Sequence, residues 1–244
     1  MLLTIIIPTF NAENDIEGCV LSIHSVLDEE LENGIISVFV KDGGSTDNTL
    51  KILEKLKCQF SWLSFEVESD RGIYDAMNQS VRHINSKWVY FLGVDDKITK
   101  NFKWAVDVFS RDSSYSKIHF FNVQMSSGIE NYNKDFNLCK LLVKNICHQG
   151  IIYPTKLLVE NPYNIKYKAL ADWALNIKLF DRFLFHDGFD IATYNDQSGF
   201  SKQYMDVEFI KDKPRIFMNN YGFIWGGGAY MIYFLGVIKH AIFK

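Results

Sequence analysis

The chain has 244 residues, 48% of them hydrophobic and 23% charged, which is the balance of a folded globular protein and excludes a disordered chain. Its 26 basic and 29 acidic side chains give a formal net charge of -3, which provides no basic field for a nucleic-acid partner. The four cysteines lack Cys-x-x-Cys spacing, so we expect reduced, mostly buried thiols in a cytoplasmic protein and exclude a disulfide scaffold.

Short apolar runs alternate with segments of helical period in the first part of the chain. The apolar runs predict strands at residues 3–7, 35–40, 63–67 and 88–92. Apolar residues at helical spacing predict helices at residues 16–27, 50–56 and 73–84. This alternation predicts an α/β fold with a mainly parallel, Rossmann-like sheet and flanking helices, whose ligand site lies at the carboxyl ends of the strands.

The second half has a less regular pattern. It predicts a helix at residues 102–109, a strand at residues 118–123 and a helix at residues 170–179. The sequence contains no internal repeat, no low-complexity linker and no Pro-rich hinge. We therefore expect one domain over residues 1–220, with a mixed second half, followed by a hydrophobic segment over residues 221–244.

Polar residues follow each of the first three predicted strands. Pro8 and Thr9 follow the first strand, where they either form an ordinary turn or contact a ligand. Asp42 follows the second strand and precedes two glycines, and its carboxylate can accept a hydrogen bond from a base N–H, although a plain turn remains an alternative. After the third strand, Arg71 can neutralise a phosphate and Asp70 can reach a base or ribose.

Two adjacent carboxylates, Asp95 and Asp96, follow the fourth predicted strand. Adjacent like charges repel each other unless a cation lies between them. Hard oxygen ligands combined with substrate phosphates suit Mg²⁺ or Mn²⁺. The position of the pair therefore predicts a site that holds a divalent metal against a diphosphate.

Four segments, in this order, resemble the inverting glycosyltransferases of family 2, which have the GT-A fold and build bacterial surface polysaccharides such as O-antigen and capsule. The segments are TIIIPTFNAE, VKDGGSTDNT, ESDRGIYDAMNQSV and WVYFLGVDD. The resemblance implies that Asp42 contacts the nucleotide base and that Asp70 and Arg71 line the nucleotide. It further implies a nucleotide-sugar-binding half over residues 1–98 and an acceptor-side half over residues 99–220.

The metal region departs from the pattern of many family members. Asp95 and Asp96 match the Asp-x-Asp region, which implies Mn²⁺ or Mg²⁺ as the cofactor and a contact of Asp95 with the donor. Many members have an aspartate where this chain has Gly93. Which of the two aspartates ligates the metal directly therefore stays open.

The second half resembles the same family in two short segments. His148-Gln149-Gly150 matches a family segment before a strand, which implies a substrate contact for His148, with a structural histidine as the alternative. Asp172, in Ala171-Asp172-Trp173, matches the position of the catalytic base, with an exposed helix carboxylate as the alternative. The implied reaction is a single displacement with inversion at the anomeric carbon.

The function implied by the resemblance is metal-dependent transfer of a sugar from a UDP-hexose or UDP-N-acetylhexosamine to a hydroxyl of a polyprenyl-diphosphate-linked saccharide. Residues 221–244 are rich in aromatic and aliphatic side chains, which predicts either contact with the inner face of the cell membrane or a helix packed on the domain. A non-catalytic nucleotide-sugar-binding protein is one alternative. A sugar nucleotidyltransferase is another, although no Gly-rich basic loop follows the first strand.

Overall fold

The computed structural model describes residues 1–125, 128–130, 136–194 and 204–242. The strands are β1 (Leu3–Thr9), β2 (Ile36–Asp42), β3 (Leu63–Val67), β4 (Trp88–Phe91), β5 (Lys97–Ile98), β6 (Ile118–Met125), β7 (Gly128–Glu130), β8 (Ile151–Pro154) and β9 (Phe183–Tyr194). The helices are α1 (Ile16–Glu32), α2 (Thr49–Gln59), α3 (Ile73–His83), α4 (Phe102–Ser110), α5 (Leu138–Leu141), α6 (Thr155–Glu160), α7 (Ala171–Leu179), α8 (Val207–Tyr221) and α9 (Phe223–Ile242).

The described strands form one sheet in the order β3-β2-β1-β4-β8-β6-β9-β5, with β7 paired to β6. The first four strands are parallel to one another, whereas β8 runs antiparallel to both β4 and β6. The predicted α/β fold is confirmed, and every antiparallel pair includes at least one strand of the second half. All four predicted strands of the first half are present, with boundaries shifted by one or two residues in β1, β2 and β4.

Both faces of the sheet are covered, as the uninterrupted apolar run of β1 requires. Because side chains alternate along a strand, Ile5 and Ile7 pack in one core cluster and Ile6 packs in the other. The first cluster contains the buried residues of α1, α2 and α4. The second contains those of α3, α7 and α8. The helices α3 and α7 therefore share one face of the sheet, where they approach its carboxyl edge.

The cysteines differ in part from the expectation. All four are free thiols, with Cys19 buried and Cys147 half-buried, but Cys58 and Cys139 are exposed. The expectation of mostly buried thiols is therefore wrong. The exposed pair lies in α2 and α5, on helix positions that face away from the core.

The C-terminal helices α8 and α9 pack against each other, and α8 also packs on α7. One face of α9 is buried, with Ala229 3% exposed, whereas Phe223 and Ile224 at its start are 82% and 85% exposed. Among the described residues, no helix combines the length and the apolar character needed to cross a membrane. Residues 243–244 of the predicted hydrophobic segment lie outside the described residues.

Candidate active site

The residues predicted to contact the donor lie together at the carboxyl ends of β1 and β2. The strand register places Pro8 opposite Lys41 and Thr9 opposite Asp42. The carbonyl oxygen of Thr9 accepts a hydrogen bond from the Gly43 N–H at 2.9 Å. The first-strand loop is therefore fixed beside Asp42, whose side chain is buried.

The Asp42 carboxylate organises the loop that follows β2. Its Oδ1 accepts hydrogen bonds from the backbone N–H groups of Gly44 and Ser45 at 2.9 and 2.7 Å. Its Oδ2 accepts one from the Ser45 hydroxyl at 2.6 Å. The same hydroxyl oxygen accepts a hydrogen bond from the Asn11 N–H at 2.7 Å, which joins this loop to the one after β1. Asp42 thus holds the shape of the loop in which it was predicted to contact a base.

Asp70 and Arg71 lie at the same edge of the sheet. Asp70 Oδ1 accepts a hydrogen bond from the Gly72 N–H at 2.8 Å. Its other oxygen lies 2.7 Å from where a Cβ on Gly43 would be, so a side chain at residue 43 would force the Asp70 carboxylate to move. The Arg71 guanidinium forms a two-point ion pair with Asp75, at 2.9 Å from Nε and 3.2 Å from Nη2, and remains largely exposed. Arg71 is therefore held at the rim of the edge.

A buried lysine, which the sequence interpretation did not single out, lies beneath these loops. Lys41 is fully buried at the end of β2. Its ammonium donates a hydrogen bond to the Glu68 carbonyl at 2.6 Å, which ties the end of β2 to the segment after β3. The signal in the sequence was a lysine at the end of an apolar run, directly before Asp42.

The two aspartates after β4 differ in their environments. Asp95 is exposed, whereas Asp96 is buried and its Oδ2 accepts a hydrogen bond from the Gln149 side-chain amide at 2.7 Å. Both carboxylates lie over Gly93, where a Cβ would overlap the Asp96 carboxylate and lie 3.2 Å from Asp95 Oδ1. Gly93 therefore leaves room for both carboxylates to turn back over the end of the strand.

This pair fits a hard divalent cation. Mg²⁺ and Mn²⁺ accept carboxylate oxygens and complete their coordination with water and substrate phosphates, so two protein carboxylates are sufficient. Within the described residues, one group of three ligand side chains also occurs elsewhere, formed by Glu66, Glu68 and His83 on β3, just after it and on α3.

Asp172 lies in the first turn of α7 and is only 8% exposed. The alternative of an exposed helix carboxylate is therefore wrong. Its Oδ1 lies 2.8 Å from the Tyr74 hydroxyl, and its Oδ2 accepts a hydrogen bond from the Asn145 amide at 2.7 Å. Burial raises the pKa of Asp172 from its ordinary value of 3.8 to about 6, against the opposing effect of these hydrogen bonds. A carboxylate with such a pKa can accept a proton near neutral pH.

One short segment, residues 145–149, connects Asp172 to Asp96 of the predicted metal-binding pair, Asp95 and Asp96. At its start Asn145 binds Asp172, and at its end Gln149 binds Asp96. The Gln149 carbonyl accepts a hydrogen bond from the buried Tyr90 hydroxyl at 2.8 Å, which anchors this end to β4. Asn145 and Gln149 were given no role from the sequence, although Gln149 lies in the quoted His-Gln-Gly segment.

His148 lies within that segment, among aromatic rings. Its ring centroid is 5.3 Å from that of Phe91 and 6.0 Å from that of Tyr163. Both ring nitrogens are shielded from solvent and have no hydrogen-bond partner among the described residues. Burial lowers its pKa to about 4, so the ring is neutral at physiological pH. Within the described part of the chain, His148 therefore forms none of the hydrogen bonds that a structural histidine would require. Its contact with the substrate stays a prediction.

The family model of Glycosyl transferase family 2 matches residues 4–170 of this chain. The chain belongs to glycosyl transferase family 2. Among curated relatives of this family 2 enzyme, a PGL/p-HBAD biosynthesis glycosyltransferase of Mycobacterium bovis is 34% identical over 220 residues, which cover 87% of this chain and 84% of the relative. The chain is therefore a glycosyltransferase. Membership favours this activity over a non-catalytic binding protein and over a sugar nucleotidyltransferase.

Two solved structures share the fold of this family 2 glycosyltransferase. Residues 1–349 of Staphylococcus aureus TarS, crystallised with UDP-GlcNAc, match with a TM-score of 0.70 and 20% identity, over 88% of this chain and 65% of that one. A mannosyltransferase from Pyrobaculum calidifontis, in complex with GDP-Man and Mn²⁺, matches with a TM-score of 0.61 and 16% identity, over 98% of this chain and 75% of that one. These similarities establish the GT-A fold.

Proposed function

We propose that this enzyme is a metal-dependent, inverting glycosyltransferase that moves a hexose or N-acetylhexosamine from a UDP-sugar to a hydroxyl of a lipid-linked saccharide in surface polysaccharide synthesis. The observation that carries the proposal is the arrangement around residues 145–149. That segment binds a buried carboxylate suited to proton transfer, Asp172, at one end and the predicted metal pair at the other.

In the proposed donor site, the nucleotide lies across the loops after β1, β2 and β3. Asp42 contacts the base, Pro8 and Thr9 form the adjacent wall, and Asp70 and Arg71 line the ribose and phosphates. The fixed geometry of the Asp42 loop supports this placement, because a preformed loop loses little conformational freedom on binding. The UDP-GlcNAc complex of TarS supports a UDP-sugar, and the mannosyltransferase complex makes GDP-sugars the comparison set.

The metal is proposed to bind at Asp95. This carboxylate is exposed at the edge of the sheet, whereas Asp96 is buried and bound by Gln149, so Asp95 is assigned as the direct ligand. Asp96 then acts through water or the ribose and supports the end of β4. When bound, Mn²⁺ or Mg²⁺ neutralises charge on the departing diphosphate.

Asp172 is the proposed general base. It takes the proton of the acceptor hydroxyl while the acceptor oxygen forms a bond to the anomeric carbon. The bond from that carbon to the diphosphate oxygen breaks at the same time, and its electron pair leaves with the diphosphate. Attack on the face opposite the leaving group inverts the anomeric configuration. His148, which is neutral and lies in the same segment as Asn145, is assigned to the acceptor or donor sugar.

The proposed acceptor is a saccharide carried on a polyprenyl diphosphate, which places the enzyme at the inner face of a membrane. The exposed apolar side chains at the start of α9, Phe223 and Ile224, support contact with a lipid surface. The Mycobacterium bovis relative is named a PGL/p-HBAD biosynthesis glycosyltransferase, so acceptors of that process form the second candidate class.

A donor screen followed by an activity comparison tests this proposal. Thermal shifts are measured for UDP-, GDP- and dTDP-sugars with and without MnCl₂, and we expect the largest shift for a UDP-sugar with the metal. Asp172→Asn should bind the same donor with an unchanged shift and lose sugar transfer. Transfer by the variant at the wild-type rate would contradict the assignment of the base.

A further inference from the structure

Tyr74 connects the donor side of the site to Asp172. It lies in the first turn of α3, directly after the segment that contains Asp70 and Arg71. Its hydroxyl oxygen is 2.8 Å from Asp172 Oδ1 and 2.9 Å from the carbonyl oxygen of Ala169. A phenol has a single hydrogen to donate, so it can satisfy only one of these two acceptors at a time.

The second oxygen of Asp172 has a partner with a fixed orientation. Asn145 Oδ1 accepts one hydrogen bond from the backbone N–H of Ile146 at 2.9 Å and another from the side-chain amide of Asn176 at 3.0 Å. Because two donors face this oxygen, the amide nitrogen must face Asp172. Asn145 is thus a permanent donor to Oδ2, and the variable partner of the carboxyl group is Tyr74.

We propose that Tyr74 is a positioning residue that satisfies Asp172 in both of its protonation states, by donating its hydrogen to the ionised carboxylate and to the Ala169 carbonyl once Asp172 has become neutral. The inference rests on the proposed function of Asp172 as general base. It goes beyond that function by assigning a residue that keeps the base ready before transfer and stabilises its product form afterwards.

The hydrogen positions balance across the reaction. Before transfer, the Tyr74 hydrogen points to the negatively charged Asp172 Oδ1. After the acceptor proton has reached Asp172, the neutral carboxyl group donates it to the Tyr74 oxygen. Tyr74 then donates its own hydrogen to Ala169. The charged carboxylate therefore keeps the Tyr74 donor before transfer, and the neutral carboxyl group has an acceptor for its hydrogen afterwards, so the carboxyl group avoids the cost of an unsatisfied buried group in both states.

The other ionisable groups near Asp172 are phenols, and they stay neutral. Tyr153 on β8 and Tyr163 before α7 have pKa values raised by burial, and so does Tyr74, with a further rise from the Asp172 charge. On α8, the Lys213 ammonium lies 3.8 Å from the Trp173 ring centroid. It donates a hydrogen bond to the backbone carbonyl of Leu142 rather than to Asp172. Titration near pH 6 at this site therefore belongs to Asp172.

The test is the pH dependence of sugar transfer by Tyr74→Phe, measured from pH 5 to pH 9 with saturating donor. Loss of the phenol hydrogen bond removes stabilisation of the ionised carboxylate, so the acid limb of kcat should move up by about one pH unit. The donor KM should change less than about twofold, because Tyr74 does not bind the donor in this account. Asn145→Ala, which removes the other side-chain donor, should shift the limb in the same direction.

Tyr167→Phe is the matched control. It also removes a tyrosine hydroxyl, but this hydroxyl donates to Asp212 on α8 at 2.9 Å and not to Asp172. Its acid limb should coincide with that of the wild type. Circular dichroism and thermal melts verify that each variant is folded. An acid limb that does not move in Tyr74→Phe, or an equal loss of kcat at every pH, would overturn the role of Tyr74.

The same assay separates failure of this inference from failure of the proposed base. If Asp172→Asn abolishes transfer and the wild type has an acid limb near pH 6, Asp172 is the base, and the Tyr74→Phe result alone decides the inference. If Asp172→Asn transfers sugar with an unchanged pH profile, the base has been assigned wrongly, and both ideas are rejected.

Discussion

Replacing Asp172 by asparagine should stabilise the fold at neutral pH while it removes the base. The asparagine has the same shape, and its carbonyl can accept the hydrogen bond from Asn145. Its amide can donate to the Tyr74 oxygen, and Tyr74 then donates to the Ala169 carbonyl. The substitution therefore keeps the hydrogen bonds to the Asn145 and Tyr74 side chains and removes a buried charge, which is the unfavourable feature of this position.

The magnitude follows from the pKa of Asp172. Burial raises it from 3.8 to about 6, so between these values the folded protein binds more protons than the unfolded chain. The free energy of unfolding therefore falls as the pH rises through this window, and it stays low above pH 6. A shift of this size, at 1.36 kcal/mol for each pH unit, corresponds to about 3 kcal/mol at neutral pH.

Urea unfolding of wild type and Asp172→Asn, followed at several pH values from 4 to 8, measures this difference directly. The variant should gain up to about 3 kcal/mol at pH 7.5, and the gain should shrink towards zero as the pH approaches 4. Asp212→Asn is a control of opposite sign, because the hydrogen bond from Lys166 lowers the pKa of Asp212, so this variant should be less stable at pH 7.5. A gain for Asp172→Asn that is absent, or equal at every pH, would refute the reasoning.

Three further predictions concern the metal pair and the C-terminal helix. Asp95→Asn should lose the thermal shift that MnCl₂ adds to donor binding, because it removes the proposed metal ligand, and differential scanning fluorimetry measures this loss. Gln149→Ala should lower kcat by about 10- to 100-fold in a transfer assay, because it removes the amide that orients a carboxylate beside the metal. The double variant Phe223→Ser, Ile224→Ser should bind anionic vesicles at least about tenfold more weakly in a sedimentation assay, because two exposed apolar side chains are lost.

Each of these predictions has a companion variant. Asp107→Asn removes an exposed carboxylate on α4 and should retain the full shift with MnCl₂. Gln149→Glu places a second charge against Asp96 and should be at least as impaired as Gln149→Ala. Val159→Ser removes an exposed apolar side chain on α6 and should leave vesicle binding unchanged. Equal behaviour of Asp95→Asn and Asp107→Asn would contradict the metal role of Asp95, and a Gln149→Glu enzyme of wild-type activity would contradict the role of Gln149. Equal vesicle binding by the double variant and Val159→Ser would contradict the role of α9.

Local patterns in the sequence were sufficient to predict the first half of the fold. Apolar runs bounded by turn residues mark β1 to β4, because a buried parallel strand is apolar on both faces. The motifs at the strand ends then placed Asp42 and Asp95 at one edge, since parallel strands end on the same side. In the second half, β9 was missed because Gly188 and two aspartates, Asp187 and Asp190, interrupt its apolar pattern.

The contacts around Asp172 and Asp96 could not be predicted from local pattern, because they join distant parts of the chain. Tyr74 and Asp172 are 98 residues apart, and no local pattern links them. Gln149 and Asp96 are 53 residues apart. In α9, three consecutive glycines are unfavourable for a helix, but the helix continues through them. Packing against α8 supports this segment, and the sequence pattern contains no sign of that contact.

The most direct test of the account is sugar transfer to a synthetic polyprenyl-diphosphate-linked saccharide, with the product analysed by mass spectrometry and NMR. With a UDP-sugar and MnCl₂, the account predicts a product that is heavier by one sugar and has the anomeric configuration opposite to that of the donor. EDTA and the Asp172→Asn substitution should each abolish this product. A product of retained configuration, or transfer that persists in EDTA at the same rate, would contradict the central claim.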